Sequence, residues 1–234
     1  FIASVKYIKK WPDVIRQMSL LSVVDQQIKE FIFNKDWSFL NQLKDDFYFP
    51  EIPEIFHFKS LLPIEKINDK KVVIFPGSVW ATKKWTTEGY AYVSTKLLEY
   101  GYEVFLLGGP DDFLDAKKVQ DLVPRVSNLT GQMDLFQSTL FLRDAALILC
   151  NDSAPAHMAS SLQRPVLSIF GPTVLDFGFR PWNDKSTVVQ NMNLSCRPCG
   201  AHGHQVCPLK HHSCMMKISG EGVLAVALRL LSEK

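Results

Sequence analysis

Residues 145–170 read AALILCNDSAPAHMASSLQRPVLSIF, and this stretch decides the predicted fold. An apolar run at each end flanks the octet 152–159, DSAPAHMA, and this order predicts a strand, a sharp turn, a helix and a second strand. Pro155 suits the first helical turn, where its missing N–H costs nothing, and Asp152 or Ser153 can cap the helix. Ligands bind at the carboxyl ends of strands in open α/β sheets, and helix N–H groups favour anions. The octet is therefore a candidate phosphate site, with an ordinary capped helix as the plainer interpretation.

A second candidate anion-binding turn follows the apolar run VVIF at residues 72–75. Gly77 permits close backbone approach at this turn, and Ser78 offers a hydroxyl group. Lys83 or Lys84 can supply a mobile positive charge, although two adjacent lysines more often form a solvated surface. Because both turns leave the carboxyl ends of strands in one predicted sheet, we expect them to lie at the same edge.

Alternating apolar runs predict an α/β fold for most of the chain. Residues 66–234 are expected to form a doubly wound parallel sheet with helices on both faces. Strands are expected near 72–75, 103–107, 146–150, 166–170 and 187–190, and helices near 87–100, 112–122, 134–143, 155–162 and 220–232. Residues 1–65 are instead predicted to be mostly helical, ending in an extended linker.

Composition excludes some classes of function. The chain has 234 residues, of which 47% are hydrophobic, so a sizeable core is available. The net charge is only +2, and no basic run with interleaved aromatic residues suggests a nucleic-acid partner. No apolar stretch approaches the ~18–20 residues of a membrane span, and the first residues do not form a secretory leader. Since the chain begins with Phe1 rather than methionine, we expect it to be part of a longer protein.

Six segments form an ordered set of motifs. They are PGS at 76–78 with KKW at 83–85, EVFLLGGP at 103–110, NLTG at 128–131, the octet at 152–159, IFGPT at 169–173, and CRPCGAHGHQVCPLKHHSCM at 196–215. In this order the segments resemble glycosyltransferase family 9, the ADP-heptose:lipopolysaccharide heptosyltransferases. The resemblance covers roughly residues 70–234. One departure is Ala154, which stands where the family usually has glycine, so a positive φ at this position would be strained.

The resemblance implies a GT-B arrangement of two Rossmann-like domains. Residues 66–234 would be the C-terminal, donor-binding domain, with a Cys-rich tail at 194–216. Residues 1–65 would be a remnant of the N-terminal acceptor half and a linker, so the N-terminal Rossmann domain is expected to be largely absent from this chain. That missing domain would carry the aspartate that acts as general base.

The same resemblance implies an activity. The expected reaction moves a heptose from ADP-heptose to a lipopolysaccharide core or similar lipid-linked acceptor, with inversion and without a catalytic metal. The expected location is cytoplasmic, with peripheral contact at the cytoplasmic face of an inner membrane. Two alternatives stay open: a related transferase that uses another nucleotide sugar, and a non-catalytic module that binds a nucleotide sugar.

Sugar transfer from a nucleoside diphosphate builds negative charge on the departing diphosphate, which positioned donors must stabilise. We assign Lys83 to that diphosphate, Asp152 to sugar hydroxyls and His157 to a phosphate or sugar oxygen. The predicted substrate-binding residues are Pro76, Gly77, Ser78, Asp111, Met133, Ser153, Ala154 and Gly171. The sequence does not decide which of Asp111, Asp112 and Asp115 binds a ribose. For His157 the alternative is a structural imidazole. For Met133 the family resemblance implies contact with adenine, and the alternative is core packing.

The five cysteines fall into two groups. Cys150 lies in an apolar strand and is expected to be a buried, inert thiol. The others are Cys196, Cys199, Cys207 and Cys214, with the spacing C-x2-C-x7-C-x6-C. Four thiolates can close a tetrahedral structural zinc site that pins a loop near the donor site. Reduced thiols without a metal, disulfides and a metal cluster are the alternatives.

Overall fold

The computed structural model describes residues 67–233. The described residues divide into two compact units, of which the larger comprises residues 67–173 and 181–233. Val174–Arg180 belongs to the other unit. The predictions for residues 1–65, a helical remnant and a linker, lie outside the described residues.

The larger unit is built on one parallel sheet. Its strands are β1 (Asn68–Phe75), β2 (Glu103–Leu106), β3 (Ser127–Asn128), β4 (Ala145–Asn151), β5 (Val166–Phe170) and β6 (Ser186–Gln190). The order across the sheet is β3-β2-β1-β4-β5-β6, and every neighbouring pair is parallel. The strand order reverses between β1 and β4, which is where open α/β sheets bind ligands. The predicted doubly wound α/β class is confirmed.

In the described part of the chain, six α-helices accompany the sheet: the first four connect successive strands from β1 to β5, and the last two follow β6. The helices are α1 (Thr87–Glu99), α2 (Phe113–Leu122), α3 (Leu135–Leu142), α4 (Ala154–Ser161), α5 (Ser213–Met216) and α6 (Gly220–Ser232). Local capping explains where three of them begin, since the side chains of Thr86, Asp134 and Ser219 accept from the N–H groups of Gly89, Gln137 and Gly222. The prediction missed β3 and α5, because neither is long enough to show a hydrophobic period.

The sheet is buried on both faces. Val72 and Ile74 of β1 join one hydrophobic cluster, while Val73 and Phe75 join the other. Successive strand residues point to opposite faces, so a strand covered on both sides is a continuous apolar run, as the sequence had indicated. Between residues 67 and 233, no helix has the length and apolar character that crossing a membrane requires.

Candidate functional site

Asn151, the last residue of β4, joins the two predicted turns. Its Nδ2 donates to the carbonyl oxygens of Pro76 and Gly77, each at 3.0 Å. Its Oδ1 accepts from the Trp85 N–H at 3.0 Å and from the Tyr90 hydroxyl at 2.9 Å. Burial raises the pKa of Tyr90 well above its ordinary value, so the phenol keeps the proton that it donates. The two turns therefore lie at one edge of the sheet, as expected; we call it the carboxyl edge.

A buried ion pair occupies this edge. The Lys83 Nζ lies 2.6 Å from the Asp152 Oδ2, and the two side chains are 8% and 3% exposed. The Thr173 hydroxyl donates to the same Oδ2 at 2.6 Å. The sequence had suggested a mobile charge, but the structure instead fixes the Lys83 ammonium next to the turn that begins α4.

Three carboxylates follow β2, and their positions differ. Asp115 forms a 2.6 Å ion pair with Lys84, so this lysine is also held in place. Asp112 packs against Gly77, where an added Cβ would stand only 2.0 Å from its Oδ1. Desolvation raises the pKa of Asp112, despite a hydrogen bond from a neighbouring backbone N–H. Asp111 is exposed, so Asp112 is the carboxylate against the Gly77 turn.

The start of α4 differs from the prediction in its cap. Ser153 is the N-cap residue, but its hydroxyl donates to the Asn151 carbonyl oxygen at 3.2 Å and does not cap the helix. Of the two residues that the sequence offered as caps, Asp152 and Ser153, Ser153 therefore takes the N-cap position, but no side-chain hydrogen bond caps the helix. Ala154 is the first residue of the right-handed helix, so alanine is not strained there. His157 lies on the exposed side of α4.

The remaining predicted residues are partly or wholly packed. Ser78 is half-buried in the first turn. Met133 is partly buried against one hydrophobic cluster, which agrees with the core-packing alternative. Gly171 is buried at the end of β5, and a Cβ there would stand 2.7 Å from the Met215 Cε. The Gly171 backbone therefore packs closely against the Met215 side chain.

The Cys-rich segment, residues 194–216, carries four thiols that line one cavity of about 240 Å³. All five cysteines are free thiols. Desolvation alone would raise the pKa of Cys207, but backbone N–H groups of residues 209–212 lower it. By contrast, burial raises the pKa of Cys150 to about 12, as expected of an inert thiol. Within residues 67–233, no group of three or more His, Cys, Asp or Glu side chains has metal-binding geometry.

This segment also holds the turn that carries Lys83. The Thr82 N–H donates to the His204 carbonyl oxygen at 3.0 Å, and the His204 N–H donates to the Thr82 hydroxyl at 2.7 Å. A ring nitrogen of His212 lies 2.8 Å from the Thr82 carbonyl oxygen. Gly203 packs so closely that a Cβ would stand 2.8 Å from the Thr82 Oγ1. The residue before Lys83 is therefore fixed by a distant part of the chain.

Sequence reasoning missed three residues of this edge. Asn151 offered a signal, because it is a polar residue at the end of an apolar strand. Thr173 lies within the IFGPT motif but was given no role. Thr82 offered no local signal, since its partners are backbone and ring atoms more than 120 positions away.

The strand order reverses between β1 and β4, and the charged carboxyl edge lies at this switch point. Together these features define a Rossmann-like domain, a class of fold that binds nucleotides at the switch point. Residues 8–210 match the profile of glycosyltransferase family 9 (heptosyltransferase). The chain belongs to this family.

Three of the relatives that this chain matches are named as heptosyltransferases. Lipooligosaccharide heptosyltransferase 2 of Campylobacter jejuni is 27% identical over 201 residues, covering 82% of this chain and 60% of the relative. Lipopolysaccharide heptosyltransferase 3 of Escherichia coli is 32% identical over 123 residues, covering 50% and 36%. The solved E. coli ADP-heptose LPS heptosyltransferase II is 25% identical with a TM-score of 0.57, covering 70% of this chain and 47% of that one. This chain thus spans 60% or less of the length of each.

Proposed function

We propose that this chain is the donor-binding half of a glycosyltransferase that moves a heptose from ADP-heptose to a lipopolysaccharide core or similar lipid-linked acceptor. The observation that carries this proposal is the buried Lys83–Asp152 pair at the switch point of the sheet. The heptosyltransferase names of the relatives support the choice of sugar and acceptor. The similarity to the E. coli ADP-heptose LPS heptosyltransferase II supports the choice of donor.

The geometry suggests how such a site works. Transfer breaks the bond between the anomeric carbon and the diphosphate oxygen, and the electron pair leaves with the diphosphate. The Lys83 ammonium and the N–H groups at the start of α4 are placed to stabilise that charge. The Asp152 carboxylate holds Lys83 in place before the donor arrives, and then accepts hydrogen bonds from sugar hydroxyls. The Ser78 hydroxyl in the neighbouring turn is a further donor.

The proposed transfer is a single displacement that inverts the anomeric carbon and requires no catalytic metal. The general base would come from the part of the protein that carries the acceptor site. NMR of the product made by the full-length protein tests this proposal. An anomeric configuration opposite to that of the donor, formed in the presence of a chelator, is expected. Retention of configuration, or turnover that stops with the chelator while the metal content of the Cys-rich segment stays unchanged, would contradict it.

Calorimetric titration of the 234-residue chain with ADP, GDP and UDP tests the donor assignment. Saturable binding of ADP, with GDP and UDP at least about tenfold weaker, is the expected result. Tighter binding of GDP or UDP would overturn ADP-heptose as the donor. No saturation with any of the three nucleotides would overturn the role of this chain in donor binding.

The proposed acceptor also implies a location. A lipid-linked saccharide would bring the protein to the cytoplasmic face of an inner membrane as a peripheral partner. Cell fractionation checks this proposal. Recovery with membranes and release by high salt are expected. Recovery outside the inner membrane would contradict this location.

We also propose a structural metal ion at the Cys-rich segment. Cys196, Cys199, Cys207 and Cys214 line one cavity but do not stand in metal-binding geometry, so a tetrahedral zinc or iron would have to draw the four thiolates together. The ion would pin this segment against the turn that carries Lys83.

Elemental analysis of the purified chain tests the metal site. About one zinc or iron per chain, lost in Cys199→Ser but retained in Cys150→Ser, is expected. Cys150 is the matched control because its thiol lies in β4, outside the cavity. Thiols that retain no metal after purification and zinc addition would contradict the proposal.

A further inference from the structure

Arg197 lies in the Cys-rich segment, yet its contacts lead to the carboxyl edge. Its Nη2 donates to the Thr173 carbonyl oxygen at 2.6 Å and to the Gln190 Oε1 at 2.8 Å. Its Nη1 donates to the Asn191 carbonyl oxygen. One guanidinium therefore binds the end of β6 to the segment that follows β5. A lysine ammonium could not reproduce this planar, multi-point contact.

Thr173 connects that guanidinium to the buried ion pair. The Thr173 side chain is completely buried, and its hydroxyl donates to the Asp152 Oδ2 at 2.6 Å. The same oxygen lies 2.6 Å from the Lys83 Nζ. Arg197 holds the backbone of Thr173, while the hydroxyl of Thr173 helps to fix the carboxylate that orients Lys83. The four residues thus form one continuous chain of contacts, in which Arg197 binds the backbone of Thr173 and the side chains of Thr173, Asp152 and Lys83 meet.

We propose that Arg197 is a positioning residue that sets the place of the Lys83 ammonium for the donor diphosphate. It touches neither of the two charged groups and acts through Thr173 and Asp152. This inference rests on the proposed function, because it needs a diphosphate at Lys83. Through Arg197, the Cys-rich segment contributes to the affinity for the donor. This contribution is separate from any role of its cysteines.

The first experiment measures ADP affinity by calorimetry in Arg197→Met, which keeps the aliphatic stem and removes all donors. An affinity loss of roughly tenfold is expected, because a small misplacement of a charged donor weakens its contact strongly. Arg164→Met is the matched control. Arg164 is a buried arginine at the opposite edge of the sheet, where its Nε donates to the Leu162 carbonyl oxygen. We expect this control to lose stability and to keep its ADP affinity within about twofold.

A double-mutant cycle separates positioning from general damage. In a Lys83→Met background, adding Arg197→Met should cost less than about twofold in ADP affinity, because the residue through which it acts is gone. Fully additive losses would overturn the inference. Should Arg197→Met fail to fold, Arg197→Lys serves in its place, with an expected loss of roughly threefold.

The outcomes distinguish this inference from the function on which it rests. Unchanged ADP affinity in the folded Arg197 variants, with tight binding by the unmodified chain, would overturn the inference alone. Absence of ADP binding by the unmodified chain would overturn the proposed function and the inference together.

Discussion

The two edges of the sheet carry ion pairs with the same length and different surroundings. At the amino edge, near the starts of β1 and β4, Lys71 lies 2.6 Å from Asp144, whose side chain is 37% exposed. At the carboxyl edge, Lys83 lies 2.6 Å from Asp152, whose side chain is 3% exposed. Water can solvate Asp144 if its partner is lost, but it cannot reach Asp152 to the same extent. Distance alone therefore does not distinguish a structural pair from a pair suited to an anionic ligand.

The neighbours of each pair sharpen this difference. Lys71 also donates to the Phe141 carbonyl oxygen and lies 3.6 Å from the centre of the Phe141 ring, so its surroundings are those of a packing residue. Asp152 receives a second donor, Thr173, on the oxygen that faces Lys83. Burial strengthens electrostatic interactions, and it also makes an unpaired charge costly. A diphosphate that binds Lys83 must therefore share the ammonium with Asp152, because a buried carboxylate without its counter-ion is costly.

The largest difference between the two edges, in unfolding free energy and in ADP affinity, is expected when the lysine of each ion pair is replaced. Lys83→Met leaves a buried Asp152 without its charge partner, so a loss of about 3–5 kcal/mol in unfolding free energy is expected. ADP affinity should fall about 10- to 100-fold, the range for a hydrogen bond to a charged group. Lys71→Met should lose only about 1–2 kcal/mol and keep ADP affinity. Denaturant titration and calorimetry measure both quantities, and equal losses for the two variants would erase the contrast.

Asparagines at the two edges offer the next comparison. Asn151→Ala leaves the buried Trp85 N–H and Tyr90 hydroxyl without their acceptor, so a loss of about 2–4 kcal/mol is expected. Asn68 at the amino edge makes an exposed side-chain bond to Glu103, and Asn68→Ala should cost less than about 0.5 kcal/mol. Chemical denaturation compares the two. A small loss for Asn151→Ala would remove its role in joining the turns.

The carboxylates separate sugar from diphosphate recognition. Asp152→Asn should weaken binding of ADP-heptose by about tenfold and of ADP by less, because this carboxylate is proposed to hold sugar hydroxyls. Asp144→Asn at the amino edge should change neither affinity. Parallel titrations with the two ligands measure the difference. Equal losses of ADP and ADP-heptose binding by Asp152→Asn would assign the carboxylate to the diphosphate alone.

The smallest expected effect concerns Asp112 and pH. Its raised folded-state pKa means that the folded protein penalises the charged form, so the stability related to this group is highest below about pH 3.9 and falls as pH rises. Asp112→Asn should therefore be more stable than the unmodified chain by a few tenths of a kcal/mol at pH 7 and equally stable at low pH. The exposed Glu103→Gln is the control at the amino edge. Chemical denaturation at several pH values checks whether the extra stability of Asp112→Asn is present at pH 7 and absent at low pH.

The same contrast explains how much was predictable from sequence. Strands β1, β4 and β5 are buried on both faces, and such strands are visible as continuous apolar runs. Both turns and both charged residues of the carboxyl edge were also indicated. The pairing of Lys83 with Asp152 was not, because 69 positions separate them and no local pattern encodes the contact. Arg197 was missed for the same reason, since its acceptors are backbone and amide oxygens brought close by the fold.

The hydrogen bonds between Thr82 and the Cys-rich segment have a consequence for how the chain is made. Thr82 and His204 are 122 positions apart, and Thr82 and His212 are 130 apart. All strands of the described sheet have been synthesised by residue 190, before either histidine. On the ribosome, the sheet can therefore assemble while the Lys83 turn still lacks its support. The nascent chain would complete its strands first and the support of its ligand-binding turn later.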